Sequence, residues 1–408
     1  MNEFSWPILL EKAREIGFTD LRAVPVTADF PEGKALDAWL EKGYHADMEY
    51  MSRTAAVRKN IDLFLPHAKS VIVATVNYFT RQKKVEKSGT IARYAYGRDY
   101  HKVMKPMFEQ LAELLRSDFF PDSKPEDYRT SIDAQPVMER AWAKRARLGF
   151  IGKNTMLITE QAGSWVLIGC LVTTQELKVE SEELRVENPR IPESQKSKEN
   201  TRLQTSDTKD ENQDSKFQSS IFNLQSSIPD SMTRKRKDFA SLGCGNCTRC
   251  IDKCPTKAII QGENGKYSID ARRCIAYLTI ENRGPIPLEF RDALGDRMFG
   301  CDICQEVCPY NARRENEQWN PFKNKPIAGS YQLLEKILTI KSEAEFLENY
   351  AGSPMMRAKY HGTLRNACVV AGNSGESSLV PILQNLLSWC DNDMVKEHAQ
   401  WAINKLKV

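Results

Sequence analysis

The sequence predicts an α+β multidomain chain: a mixed helix-and-strand domain, a small cysteine-rich metal module and a helical tail. Three observations carry this. Helical and strand-like patterns alternate from residue 1 to about 178, eight of the eleven cysteines fall between 241 and 315, and beyond Gln332 the pattern is helical. The expected boundaries are 1–178, 179–240, 241–320 and 321–408. With 408 residues, 41% of them hydrophobic, there is ample material for a buried core.

In chain order, Ser5 and Pro7 open an amphipathic helix in which Ile8, Leu9, Ala13 and Ile16 recur at helical spacing, and Gly17 suits the position just past its end. The β-branched run Ser70–Val76 reads as a short buried strand and Gly163–Val172 as another, with a helix over about His101–Leu115 between them. Val179–Ala240 is dominated by Ser, Asn, Gln, Glu and Lys, without a single Gly, Cys, Trp, Tyr or His. Such a segment buries too little apolar surface to offset its ordering entropy, and it is expected to be a disordered insertion. The basic run Arg234–Lys237 at its end reads as solvated charge rather than a nucleic-acid patch. From Pro354 onward, pairs of short helices resemble one or two units of a helical-repeat stack. Val395, Ala399, Ala402, Ile403 and Leu406 mark one face of the last helix, which follows the Asp391-Asn-Asp393 turn.

Charge excludes little. Lys and Arg number 58 against 54 Asp and Glu, and a net +4 does not announce a nucleic-acid binder by field alone. The N-terminus has no basic segment followed by an apolar one, and the longest apolar runs fall short of the roughly 18 residues of a membrane span. A cytoplasmic protein without a membrane partner is expected, and a monomer, since no heptad seam or large apolar stripe is present. In that setting clustered cysteines bind metal or carry electrons rather than form disulfides.

Cys244, Cys247, Cys250 and Cys254 are spaced x2, x2, x3 and followed by Pro255, the run in which three thiolates hold one cubane cluster and the fourth crosses to another. Cys301, Cys304, Cys308 and Pro309 repeat its ending, and Cys274 can supply the missing thiolate from a distance. Two [4Fe-4S] sets follow: Cys244, Cys247, Cys250 and Cys308, and Cys254, Cys274, Cys301 and Cys304. Two structural zinc sites would use the same ligand type, but the three-cysteine run and both Cys-Pro endings favour iron and sulfur. Cys170, Cys368 and Cys390 have no ligand spacing and read as buried thiols. Two clusters only relay electrons, and a domain of this size beside them favours an enzyme with a second cofactor over a mere carrier.

Other motifs decide less. Gly149-Phe-Ile-Gly-Lys-Asn154 is too short for a phosphate loop and has Asn where Ser or Thr would hold magnesium, and no Gly-x-Gly-x-x-Gly follows a strand. Asp99-Tyr-His101 begins like a cobalamin-ligating Asp-x-His-x-x-Gly signature, yet position 104 is Met. Asp133 lies between an expected strand and a helix carrying Glu139, Arg140, Lys144, Arg145 and Arg147. Pattern alone makes it a turn or cap residue; in an apolar pocket it could act as a general acid.

Longer stretches point further. Arg93–His101, Glu139-Arg140 with Leu148–Asn154, Gly163–Trp165, Cys274–Glu281, Gly284–Pro287, Gly300–Gln305, Val307–Pro309, Arg365–Ala367 and Gly372-Asn373 together resemble the epoxyqueuosine reductases, through nearly the whole chain except 179–240. The resemblance implies a nitroreductase-like α/β domain holding base-off cobalamin, a ferredoxin-like two-cluster module, and HEAT-like helices that help grip a tRNA anticodon stem-loop. It implies two-electron reduction of epoxyqueuosine to queuosine at the wobble position, with loss of water, fed by an external low-potential electron donor. It makes Asp133 the proton donor, and places Arg58, Asp133, Leu157, Ile168, Ala276, Cys301 and Asp302 at positions matching cobalamin contacts. The chain departs from the family at Ala134-Gln135, where Thr-Gly is common, at His67, where Gly is frequent, and at Cys170, where an acidic residue is frequent. The competing readings are a cobalamin-dependent reductive dehalogenase-like enzyme and a two-cluster electron-transfer protein.

Overall fold

The computed structural model describes residues 5–27, 30–81, 85–177, 238–262, 265–312, 329 and 331–407. The expected insertion and its basic run lie, up to residue 237, outside the described residues. What is described before residue 178 and from 239 onward forms one compact unit. No described helix is long and apolar enough to cross a membrane.

The first strands are β1 (Asp20–Pro25), β2 (Ser70–Asn77), β3 (Ser88–Ile91), β4 (Tyr128–Ser131), β5 (Gly149–Ile151), β6 (Leu157–Thr159) and β7 (Val166–Thr173). A four-stranded sheet runs in the order β1-β2-β7-β4, and every ladder in it is antiparallel. Alternating helices and strands often accompany a parallel sheet; strand direction is invisible to hydrophobic pattern, and here the strands reverse. Every residue of β2 is buried, which is why Ser70–Val76 reads as a continuous apolar run rather than an alternating one.

The first helix spans Trp6–Ile16 and ends on Gly17, at φ 113°, whose N–H reaches the carbonyls of Ala13 and Arg14. Its buried face is Trp6, Leu9, Leu10 and Ala13, whereas Ile8 is exposed, and Ser5 makes no side-chain cap. Helical spacing located this helix but rotated its apolar face by about one residue. The helix expected from His101 runs over Tyr100–Leu114, and the one after Asp133 over Glu139–Arg145, so Arg147 lies beyond its end.

Strands β8 (Ile259–Gln261) and β9 (Tyr267–Ile269) form a hairpin in the cysteine-rich region. A small sheet then joins three distant segments: β3 pairs with β10 (Arg297–Phe299) on one side and with β11 (Tyr331–Leu333) on the other. Behind it, Lys359–Ser374, Val380–Trp389 and Asp393–Leu406 pack as helices around Leu364, Ala367, Leu383, Leu386, Val395 and Ala399. A Cβ on Gly372 would come within 2.6 Å of Trp401, so glycine permits the close crossing of the first and last of these helices.

Candidate active site

Asp133 sits between β4 and the helix Glu139–Arg145, in the left-handed region at φ 57°. A non-glycine residue there is strained and needs neighbours to hold it. The Tyr100 hydroxyl donates to Asp133 Oδ2 at 2.5 Å, and the Asp133 N–H donates to Glu139 Oε1 at 3.1 Å. Burial, reinforced by the Asp133 charge, pushes the Tyr100 hydroxyl well above the ordinary phenol range, so it remains a donor. Burial also pushes Glu139 up to about 7, with Asp133 adding to the shift against the hydrogen bond from Ser131.

Around Asp133 lie aromatic and charged groups from several segments. Tyr94 meets Tyr100 edge to face, and His101 stacks on Tyr100 at 4.1 Å. Asp99 caps the helix through the His101 N–H and also accepts at 2.7 Å from His101 Nδ1, so this Asp-x-His serves a helix start. His101 Nε2 is buried with no hydrogen-bond partner among the described residues. Tyr50 feels the charges of Glu281, Arg357, Asp133 and Arg58, and Glu281 and Arg357 form a two-pronged ion pair at 2.7 and 2.8 Å. Arg58 donates to Thr54 and, at 3.4 Å, to the Val137 carbonyl just past the Asp133 turn.

The eight module thiols lie close enough to feel one another. Cys308 feels Cys244, Cys250 and Cys247; Cys304 feels Cys301, Cys274 and, less strongly, Cys250; and Cys274 feels Cys254. Burial pushes Cys301 up to about 12 and Cys250 and Cys308 up to about 11, so uptake of iron, which takes thiolates, must displace these protons. Backbone N–H groups of Lys153 and Ala258 donate to Cys244 Sγ and Cys254 Sγ, each at 3.3 Å. Such N–H···S contacts tune iron-sulfur potentials, and this donor set of eight thiols with amide support suits two clusters. No three His, Cys, Asp or Glu side chains among the described residues close on a point suited to one ion.

The rejected phosphate-like loop finds its use here. Lys153 Nζ donates to the carbonyls of Gly245 and Cys247, and Asn154 to that of Cys304, so the loop clasps both cysteine runs. Gly149 is required by close approach, since a Cβ there would lie 2.0 Å from the Ile158 carbonyl oxygen. The closely spaced glycines were the available signal; the partner segments, 92 and 150 residues on, were not.

Comparison with known proteins agrees with this layout. A family model described as "Epoxyqueuosine reductase QueG, DUF1730" matches residues 58–134, and one described as a 4Fe-4S double cluster binding domain matches 243–311. Epoxyqueuosine reductase of Francisella cf. novicida is 35% identical over 382 residues, covering 91% of this chain and 88% of the relative. That of Pseudomonas aeruginosa is 33% identical over 400 residues, covering 96% and 92%. The chain belongs to the epoxyqueuosine reductase family.

Solved epoxyqueuosine reductases share the fold. The Streptococcus thermophilus structure superposes with a TM-score of 0.71 at 25% identity, and a Bacillus subtilis structure, whose catalytic aspartate loop is swung out of the active site, with 0.71 at 26%. Each comparison covers 98% of this chain and 90% of the other. The family match sets aside the dehalogenase-like and simple-carrier readings, and the double-cluster match sets aside zinc.

The remaining expected site residues come from several elements. Leu157 is buried in the apolar cluster beneath the sheet, with Ile168 packed against it half-exposed. Ala276 is half-buried on the helix Ile275–Ile280 that follows Cys274. Asp302 is buried, accepts from the Arg93 N–H at 2.8 Å and from its guanidinium at 3.1 Å, and burial pushes its carboxyl up to about 6 despite Arg93. Sequence reasoning missed Tyr50, Arg357 and the role of Tyr100, which meet Asp133 only through the fold.

Proposed function

We propose that this chain reduces epoxyqueuosine to queuosine at the wobble position of tRNA, with Asp133 as proton donor to the departing epoxide oxygen. The observation that carries the reading is the Asp133 turn: a carboxyl group aimed by left-handed backbone and held by Tyr100, with Tyr94 feeling the charges of both Asp133 and Asp302, the residue that follows Cys301. Two electrons and two protons convert an epoxide to an alkene and water, and every turnover consumes both electrons. The electrons must enter from a donor outside the chain. Cys244, Cys247, Cys250 and Cys308 would hold one [4Fe-4S] cluster, and Cys254, Cys274, Cys301 and Cys304 the other, to pass electrons singly.

Cobalamin in its base-off form would be held by Arg58, Asp133, Leu157, Ile168, Ala276, Cys301 and Asp302; when bound it supplies a strongly reducing centre. The unpartnered Nε2 of His101 beside Tyr100 is a polar atom that a ligand in this space could satisfy. The residues of this chain do the rest. Tyr100 orients the Asp133 carboxyl, Asp133 delivers a proton to oxygen as the carbon–oxygen bond breaks, and Tyr50, Glu281 and Arg357 form a polar rim at which the modified base can be positioned. On this reading the sub-structures are a nitroreductase-like domain over 1–178, a ferredoxin-like module over 241–320 and HEAT-like helices over 321–408. The protein works as a cytoplasmic monomer on the anticodon stem-loop; one solved relative was crystallised with an epoxyqueuosine-modified tRNA stem-loop.

The test is anaerobic turnover of epoxyqueuosine-bearing tRNA under a low-potential reductant, with and without added cobalamin, reading digested nucleosides by mass spectrometry. Cobalamin-dependent loss of one oxygen is expected. No conversion by protein holding iron and cobalt would overturn the reading.

A further inference from the structure

The geometry points to a latch: the side chains of Glu139 and Gln135 are positioning residues that hold the Asp133 turn closed. This rests on the reading of Asp133 as proton donor. The turn exposes three successive N–H groups, and each finds an acceptor. Ile132 N–H donates to Gln135 Oε1 at 3.0 Å, Asp133 N–H to Glu139 Oε1 at 3.1 Å, and Ala134 N–H to the Ile132 carbonyl at 2.5 Å. Two of the three acceptors are therefore side chains, and the third lies inside the turn itself. Left-handed backbone at Asp133 stores strain that these bonds must offset.

Glu139 is well placed to bear the larger share. Its Oε1 also accepts from the Ser131 hydroxyl at 2.6 Å, so one oxygen ties the end of β4 to the turn, and it does so from the first residue of the following helix. The groups that face it are Ser131 on β4, Asp133 on the turn and Cys170 on β7. Gln135 replaces the glycine common in the family: where glycine eases the turn, this chain has an amide that bonds back across it.

Burial penalises a charged Glu139 more than its hydrogen bonds favour it, and in the neutral form one carbonyl oxygen can still accept from Ser131 and Asp133, so protonation favours the closed turn. With its pKa raised to about 7 in the closed turn and nearer the ordinary carboxyl value once the side chain is solvated, closure is strongest in acid and weakens as pH rises to that value. Glu139→Gln keeps an acceptor oxygen but cannot ionise.

Hydrogen exchange of the peptide 131–138 in the full chain with its clusters loaded tests the latch without turnover. Glu139→Ala and, separately, Gln135→Gly should raise its exchange about tenfold or more, the factor matching one lost hydrogen bond to a polar acceptor, while peptides of β2 stay unchanged. In the native chain protection should fall as pH rises from about 5 to 7, and Glu139→Gln should keep protection and abolish that dependence, after correction for intrinsic exchange. In reconstituted enzyme, Glu139→Ala should lower kcat with KM for the tRNA stem-loop preserved. Unchanged exchange at 131–138 in both Glu139→Ala and Gln135→Gly overturns the latch, as does full kcat in Glu139→Ala when Asp133→Asn is inactive. Full turnover in Asp133→Asn would instead sink the proton-donor reading, and exchange would still decide the latch. If Glu139→Ala fails to fold, Gln135→Gly and the pH response of Glu139→Gln carry the decision.

Discussion

Two polar clusters in this molecule are built to opposite rules. Arg365 is fully buried, and its five hydrogen bonds all go to carbonyl oxygens: the main-chain carbonyls of Leu278, Asn282 and Gly284, and twice the Asn366 side chain. Asn366 in turn donates to the carbonyls of Thr279 and Met298. These two adjacent residues of one tail helix thus pin the helix after Cys274 and the strand before Cys301. The Asp133 turn, by contrast, leaves its carboxyl exposed, its backbone strained and a neighbouring histidine nitrogen unpartnered. One cluster is saturated, where cysteines are held in register; the other has unspent hydrogen-bonding capacity, where on the proposed reading a substrate enters and a proton leaves.

The strongest way to break the contrast is Arg365→Met. It should destabilise the protein by about 3–5 kcal/mol, since three carbonyls lose donors worth roughly 1–3 kcal/mol each when buried. Iron content should fall with it, and Arg365→Lys should rescue little because an ammonium cannot span the fork. Chemical denaturation and iron assay check this; retained iron in Arg365→Met would show the seam to be irrelevant to the module. Next is Asp133→Asn, expected to lower kcat about 100-fold or more, as loss of a general acid does, without moving the unfolding midpoint. Tyr100→Phe removes the hydroxyl that aims the carboxyl and should cost about tenfold in kcat, the value of one hydrogen bond to a charged group. An effect of Tyr100→Phe on stability exceeding that on kcat would reverse the assignment of this cluster to function.

The same contrast explains what was legible in the sequence. The eight module cysteines stand out because ligand spacing is a local property, and the double-cluster match falls on that stretch. β2 and the helix Tyr100–Leu114 were readable for the same reason, one as a short continuous apolar run and the other as a helical-period pattern. Pattern read Asp133 as a turn residue, which it is, and only the family resemblance raised it further. Its partners Tyr100, Tyr50 and Arg357 are scattered over more than three hundred positions and meet only when the sheet and tail are in place. Nor did pattern give Arg365 a buried role, because a lone arginine on a helix more often faces water.

The smallest effect sharpens the comparison by supplying its reference. His67 is a second exposed non-glycine residue in left-handed backbone, at φ 63°, and the Ala68 N–H returns to the Leu65 carbonyl at 3.2 Å. With Pro66 before it, this is the pattern of a type II turn, whose third position favours glycine. Left-handed strain costs about 1–2 kcal/mol, and glycine gives back about 0.5–1 kcal/mol through the freer unfolded chain. His67→Gly should therefore stabilise by about 0.5–1 kcal/mol, raising the urea midpoint at constant slope. No function is assigned to this turn, so the gain measures bare left-handed strain in this fold. The same strain at Asp133 must be met by the Glu139 and Gln135 bonds; if His67→Gly gained nothing, the Asp133 turn would need no latch on energetic grounds.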